Sequence, residues 1–254
     1  MADLTVIVPT RGRVNSSIRL LKAFRETVRA DTELIFVISA DDNLHDDYYW
    51  ALTQAGGKAI TVDVRKRGVV APLNAGFEAL NASLGYAVGF MGDDHLPKTL
   101  GWDTELLNDL RGMKTGIAYG NDLLQGEAMA TAVVMTSDIP KTLGYMTPPE
   151  LEHYCGDLVW LDWGKGIDRL VYRDEVFIEH LHPAHGKASQ DATYSRSDGL
   201  LTSDSEKYEA YVSGRLSDDL SRLNALINPP PPPAPKKAPA KRAPRKAAPK
   251  KASA

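Results

Sequence analysis

Apolar residues in the first hundred positions come in short runs, each closed by a polar loop, and that rhythm predicts alternating strands and helices. Leu4 to Pro9 (LTVIVP) is an apolar run of strand length, followed by Thr10-Arg11-Gly12-Arg13. From about Ser16 to Arg29, Ile18, Leu21, Phe24 and Val28 recur at helical spacing. Glu33 to Ile38 (ELIFVI) reads as a second strand ending in Ser39-Ala40-Asp41-Asp42-Asn43, and a helix through Tyr48 and Leu52 is predicted to stop at Gly56-Gly57. Ala59 to Val64 is a third strand, and Pro72 suits the first turn of a helix running to about Leu84. Tyr86 to Met91 (YAVGFM) is a fourth strand, broken off by Gly92-Asp93-Asp94-His95. Strands alternating with helices predict an α/β fold with a parallel sheet, and in such sheets the polar loops at the strands' C-terminal ends form the ligand edge.

The second half is less regular. Gly101 to Arg111 reads as a helix, Met129 to Thr136 as a strand and Asp157 to Gly164 as a short helix. Strands are expected near Leu170 to Arg173 and Val176 to His182. One long helix is expected from about Ser203 to Leu226, with Tyr208, Tyr211, Val212, Leu216, Leu220, Leu223 and Leu226 on its apolar positions. Beyond Asn228, prolines and Lys/Ala/Pro repeats cannot bury apolar surface, so this segment is expected to be disordered. The organisation predicted is a body over residues 1–200, a C-terminal helix over 201–228 and a basic tail over 229–254.

Charge sharpens that division. The formal net charge is −3, yet Pro229 to Ala254 holds eight Lys or Arg and no acidic residue. The other 22 cationic and 33 acidic side chains leave Met1 to Asn228 at −11. No apolar run approaches the roughly 20 residues that span a bilayer. The N-terminus has no signal-peptide pattern, and the single cysteine, Cys155, excludes an internal disulfide or a cysteine zinc cluster. A cytoplasmic protein is expected.

The most informative stretch for chemistry is Phe90-Met91-Gly92-Asp93-Asp94-His95. Adjacent carboxylates at the end of a buried strand suit a hard divalent cation, Mn²⁺ or Mg²⁺, which neutralises a diphosphate; alone, such a pair is more often a solvated turn. Support comes from Glu179-His180-Leu181-His182-Pro183-Ala184-His185, which holds three of the six histidines. Strand alternation puts His180 and His182 on one side, where an imidazole completes a site begun by Asp94. Asp157, at the start of its helix, reads first as a cap and also as a carboxylate able to take a proton from an acceptor hydroxyl, two roles that are compatible. The loops carrying Thr10, Arg11, Arg13, Asp41 and Asp42 are candidates for a nucleotide. Arg67, Gly68 and Asn74, after the third strand, are candidates for phosphate or sugar. No G-x-x-x-x-G-K-[ST] loop, G-x-G-x-x-G turn or G-x-S-x-G elbow occurs.

In this order, over roughly Leu4 to Tyr194, the motifs resemble the GT-A fold glycosyltransferases, especially the family 2 type and its phage-encoded relatives. LTVIVPTRGR resembles the opening nucleotide-binding strand, ISADDN the second strand with its acidic loop, and KRGVVAPLNAGFEAL the donor loop and helix. GFMGDDHLP stands at the position of the metal-binding Asp-x-Asp motif, with Gly92 in place of the first Asp. The resemblance implies a Rossmann-like mixed sheet with a parallel nucleotide-binding half and a nucleotide-sugar donor touching Thr10, Arg11, Arg13, Asp41, Asp42, Arg67, Gly68, Asn74 and Asp93. It implies a Mn²⁺ or Mg²⁺ site at Asp94 with His180 or His182. Asp157 is the implied general base for inverting transfer to a hydroxyl, with Asp162 as the fallback. The acceptor is open among a protein, a glycan and a modified DNA base. Two rivals compete with this reading. A nucleotidyltransferase on a similar sheet usually carries a glycine-rich first loop, which is absent here. A non-catalytic nucleic-acid-binding protein would use the basic tail, which fits a phosphate backbone or an acidic partner.

Overall fold

The computed structural model describes residues 1–65, 68–181 and 199–229. Strand β1 (Leu4–Thr10) is buried along its whole length, between β2 (Thr32–Ser39) and β4 (Ala87–Phe90), both parallel to it. Beyond β2 lies β3 (Lys58–Val62), again parallel, at the sheet edge. The connections are α1 (Val14–Thr27), α2 (His45–Gln54) and α3 (Val70–Leu80). This is the parallel half that the apolar runs predict.

Past β4 the sheet becomes mixed. Among the described residues its order is β3-β2-β1-β4-β7-β6-β8-β5, with β7 (Val133–Thr136) antiparallel to both β4 and β6 (Ile117–Asn121). β8 (Leu170–His180) runs parallel to β6, and the short β5 (His95–Pro97) pairs antiparallel with it. The two strands expected between Leu170 and His182 are therefore one. A register shift opposite Gly120 and Asn121 carries the chain past the polar Arg173-Asp174-Glu175 without ending the strand.

Alternation along β1 sends side chains to two cores, one on each face of the sheet. Leu4, Val6 and Val8 pack with Leu20, Phe24 and Tyr48 of α1 and α2 and with Trp102 and Leu106 of α4 (Trp102–Met113). Ile7 belongs to the opposite core, with Leu73 and Phe77 of α3, Ile139 of α5 (Asp138–Leu143) and Trp160 and Trp163 of α6 (Gly156–Gly166).

The single C-terminal helix expected is two: α7 (Leu201–Ser213) and α8 (Leu216–Ile227). The break falls at Gly214, where a glycine weakens a helix by about 1 kcal/mol relative to alanine. Turning there lets Tyr211 and Leu223 both enter the second core. It also buries Asp219 against the hydroxyls of Tyr145 and Tyr211. Arg222 reaches the carbonyls of Thr142 and Leu143 at the end of α5. Among the described residues no helix is long and apolar enough to cross a membrane. The expected disorder of the tail concerns residues that, from 230 onward, lie outside the described ones.

Candidate active site

The C-terminal ends of β1, β2 and β4 open into a cleft of about 440 Å³. Its floor is a set of buried polar groups. Thr10 ends β1, and its hydroxyl donates to Asp93 Oδ2 at 2.6 Å. That hydroxyl stands 2.9 Å from the Tyr48 hydroxyl, and with Thr10's one proton on Asp93, Tyr48 is the donor in the pair. The Tyr48 oxygen in turn accepts the Arg13 N–H at 2.5 Å. The Arg13 guanidinium bridges both acidic residues, with Nη1 at 3.1 Å from Asp93 Oδ1 and 3.4 Å from Asp94 Oδ2. Burying charges costs several kcal/mol each unless they are paired, which explains why the guanidinium lies between the carboxylates. Burial first, and Asp94 second, push the Asp93 carboxyl up to about 7, against the pull of Arg13 and Thr10.

The register of β5 on β8 sets the next layer. His95 pairs with His180, so their rings stack with centroids 4.5 Å apart. Leu181 N–H donates to the Asp94 carbonyl and His180 N–H to that of Asp122. His180 Nε2 is thereby held 3.7 Å from Asp94 Oδ1. His95 is fully enclosed; its Nδ1 accepts the Gly92 N–H at 2.8 Å, and burial, with His180 nearby, pushes it down to about 4. It is neutral, with its proton on Nε2.

The opposite wall is the segment Glu152–Asp157, ending in the first turn of α6. Cys155 takes a left-handed conformation (φ 67°) just before the helix, and Asp157 lines the cleft two residues later. The helix begins at Gly156, so Asp157 is a first-turn residue and not the cap; its carboxylate accepts the Leu158 N–H at 3.0 Å. Burial raises its pKa, opposed by that N–H and by His180. A carboxylate made more basic in this way is better suited to accept a proton.

Other candidates divide into groups that face the cleft and groups tied to backbone. Thr10, Arg11, Arg13, Asp41, Gly68, Asp93, Asp94, Asp157 and His180 all line it. Arg11 and Asp41 form an ion pair at 2.6 Å near the mouth. Asp42 instead accepts the Gly12 and Leu44 N–H groups and so locks the first two loops together. The Asn74 amide bonds to the backbone of Met146 and Thr147, and Thr147, not Asn74, reaches the cleft wall. Asp162 accepts the Tyr208 hydroxyl away from the cleft. Arg67 and His182 lie outside the described residues. Sequence reasoning assigned no role to His95, whose place depends on pairing with His180, far along the chain.

Whether these groups suit a divalent cation follows from their chemistry. Among the described residues no three His, Cys, Asp or Glu side chains form a metal-binding group. Two do approach each other, Asp94 Oδ1 and His180 Nε2. Ligands about 2.0–2.2 Å from one ion stand about 3–4 Å apart, so a gap of 3.7 Å fits a shared cation. A hard ion that keeps waters and phosphate oxygens as its other ligands needs no more from the protein.

No family model matches the chain, and no curated protein sequence does. Solved structures do. The chain is similar to the mannosyltransferase PcManGT from Pyrobaculum calidifontis in complex with GDP-Man and Mn²⁺, with a TM-score of 0.56 and 16% identity over 89% of this chain and 74% of that one. It is similar to glucosyl-3-phosphoglycerate synthase from Mycobacterium tuberculosis with Mn²⁺ and UDP, at 0.54 and 15% over 80% of each chain. S. aureus TarS in complex with UDP-GlcNAc matches at 0.54 and 13%, over 69% of this chain. The chain spans 57% of that TarS structure and 36% of a longer one. At such identities the likeness is one of fold: the mixed sheet is that of the GT-A fold.

Proposed function

We propose that this chain transfers a sugar from a nucleotide-diphosphate donor to a hydroxyl acceptor, using Mn²⁺ or Mg²⁺. The observation that carries the reading is the convergence in one cleft of Asp94 with His180, and of Asp157 on the facing wall. The complexes of similar structures with UDP-GlcNAc, GDP-Man and Mn²⁺ support it.

In this reading Asp94 and His180 hold the ion, whose chemistry when bound is to neutralise charge on the departing diphosphate. Arg13 adds a fixed positive charge beside them. Thr10, Arg11 and Asp41 face the nucleoside, and Gly68 lines the same cleft. For an inverting transfer, Asp157 takes the acceptor's proton as the new bond to the anomeric carbon forms.

The test is a panel of nucleotide sugars with Mn²⁺, Mg²⁺ or EDTA, scored by released nucleoside diphosphate. Turnover with one donor that EDTA abolishes is the expected result. Asp94→Ala should lower it by about a hundredfold or more, and near-normal turnover in that variant would sink the metal assignment. Release of pyrophosphate instead would move the reading to nucleotidyl transfer.

A further inference from the structure

We propose that Asp204, on α7, is a positioning residue that holds one wall of the cleft in place. Its relevance to donor binding rests on the transferase reading above, whereas the clamp itself does not.

Asp204 is fully buried. Oδ1 accepts the Glu152 N–H at 3.1 Å, and Oδ2 accepts those of His153 and Tyr154 at 2.7 and 2.8 Å. Three consecutive backbone N–H groups converging on one anion form a nest, filled here by a side chain from some fifty residues further along. Lys207 supplies the counter-charge, 3.4 Å from Asp204 Oδ1 and 2.5 Å from Glu152 Oε1.

The segment so held has no regular structure of its own, and it ends in the left-handed Cys155. A non-glycine residue there is strained and persists only where its surroundings enforce it. The segment also packs against the start of α3. Glu152 C=O accepts the Val70 N–H at 3.1 Å, at the start of α3. The same oxygen lies so close to Gly68 that a Cβ there would be 1.9 Å away. His153, Tyr154, Cys155 and Asp157 then line the cleft beside Gly68, Val69 and Val70.

The C-terminal helices have other anchors on the body: Asp219 accepts the Tyr145 hydroxyl, Tyr211 accepts the Trp163 N–H, and Tyr211 and Leu223 are buried in the core. Asp204 fixes the spacing between the wall that carries Asp157 and the loop at Gly68.

The experiment compares full-length wild type, Asp204→Asn and, as a control for general loosening, Asp219→Asn. Amide hydrogen exchange is measured without ligand, and the affinities for UDP and GDP are measured by calorimetry. In wild type, Glu152, His153 and Tyr154 should be protected; exchange there at the rate of an open loop overturns the proposal without any variant. In Asp204→Asn, exchange of those amides and of Val70 should accelerate about tenfold or more. The nucleotide affinity should fall about fivefold or more, while α8 stays protected. Asp219→Asn should loosen α8 and leave the affinity within about twofold. An equal loss of affinity in both variants would reduce Asp204 to a general stabilising role and overturn the proposal. If wild type binds neither UDP nor GDP, the transferase reading fails at that point, and the exchange pattern alone still decides the clamp.

Discussion

His95 illustrates how much a single side chain carries at this site. Its Nδ1 is committed to the Gly92 N–H, and its Nε2–H has no partner among the described residues. The folded protein keeps it neutral down to about pH 4, whereas in an unfolded chain it takes a proton near 6.5. Its contribution to stability is therefore intact above pH 6.5 and is lost as pH falls through 4. The stability gap between wild type and His95→Gln, read from thermal unfolding, should shrink across that window; a gap independent of pH would mean the imidazole is not held neutral. Residues at this scale were unevenly legible. Asp93 and Asp94 stood out because adjacent carboxylates closed an apolar strand. Arg13 was legible as a cation near the cleft, but its bridge between them was not, because that depends on loop shape. Asp204 gave no signal, since an acidic residue in an amphipathic helix has the pattern of a solvated position.

At the scale of elements, β1 to β4 were readable because each is a short apolar run punctuated by a polar turn. β6 was not: Ile117-Ala118-Tyr119-Gly120-Asn121 is brief and carries glycine and asparagine, and only its neighbours β7 and β8 make it a strand. β5 is three residues long and exists through β8, yet that pairing brings His95 to His180. The loop between β3 and α3 offers a direct test of how closely elements approach. Gly68 has φ +81° and stands against the Glu152 carbonyl, whereas Gly144 has φ +89° and open space, with no atom within 4 Å of where a Cβ would stand. Gly144→Ala should cost only the left-handed backbone term, about 1–2 kcal/mol. Gly68→Ala should cost about 1–3 kcal/mol more, from the clash. Denaturant unfolding of the two variants measures the difference; equal losses would mean that the loop yields freely.

The whole molecule joins an acidic body to a basic end. Residues Met1 to Asn228 sum to −11, and the last 26 carry +8, so the body repels a polyanion that the tail attracts. The charge split was legible by counting alone. The integration of α7 and α8 into the main core was not, because helical periodicity says which face is apolar but not what covers it. These two facts assign different consequences to two truncations. Removing Pro229 to Ala254 deletes no hydrophobic contact of the described core and no group of the cleft. Nucleotide-sugar turnover should stay within about twofold of the full chain. Binding to duplex DNA, used as a generic polyanion, should disappear with the tail. In the full chain it should weaken steeply with salt, with a log–log slope no steeper than about −7 for eight cations. Removing α7 and α8 as well takes away Tyr211 and Leu223 from the core and Asp204 from the cleft wall, so that chain should lose cooperative unfolding and turnover together. Loss of turnover with the tail alone would make the tail part of acceptor capture. DNA binding retained by residues 1–228 would require a cationic face that the net charge of the body conceals.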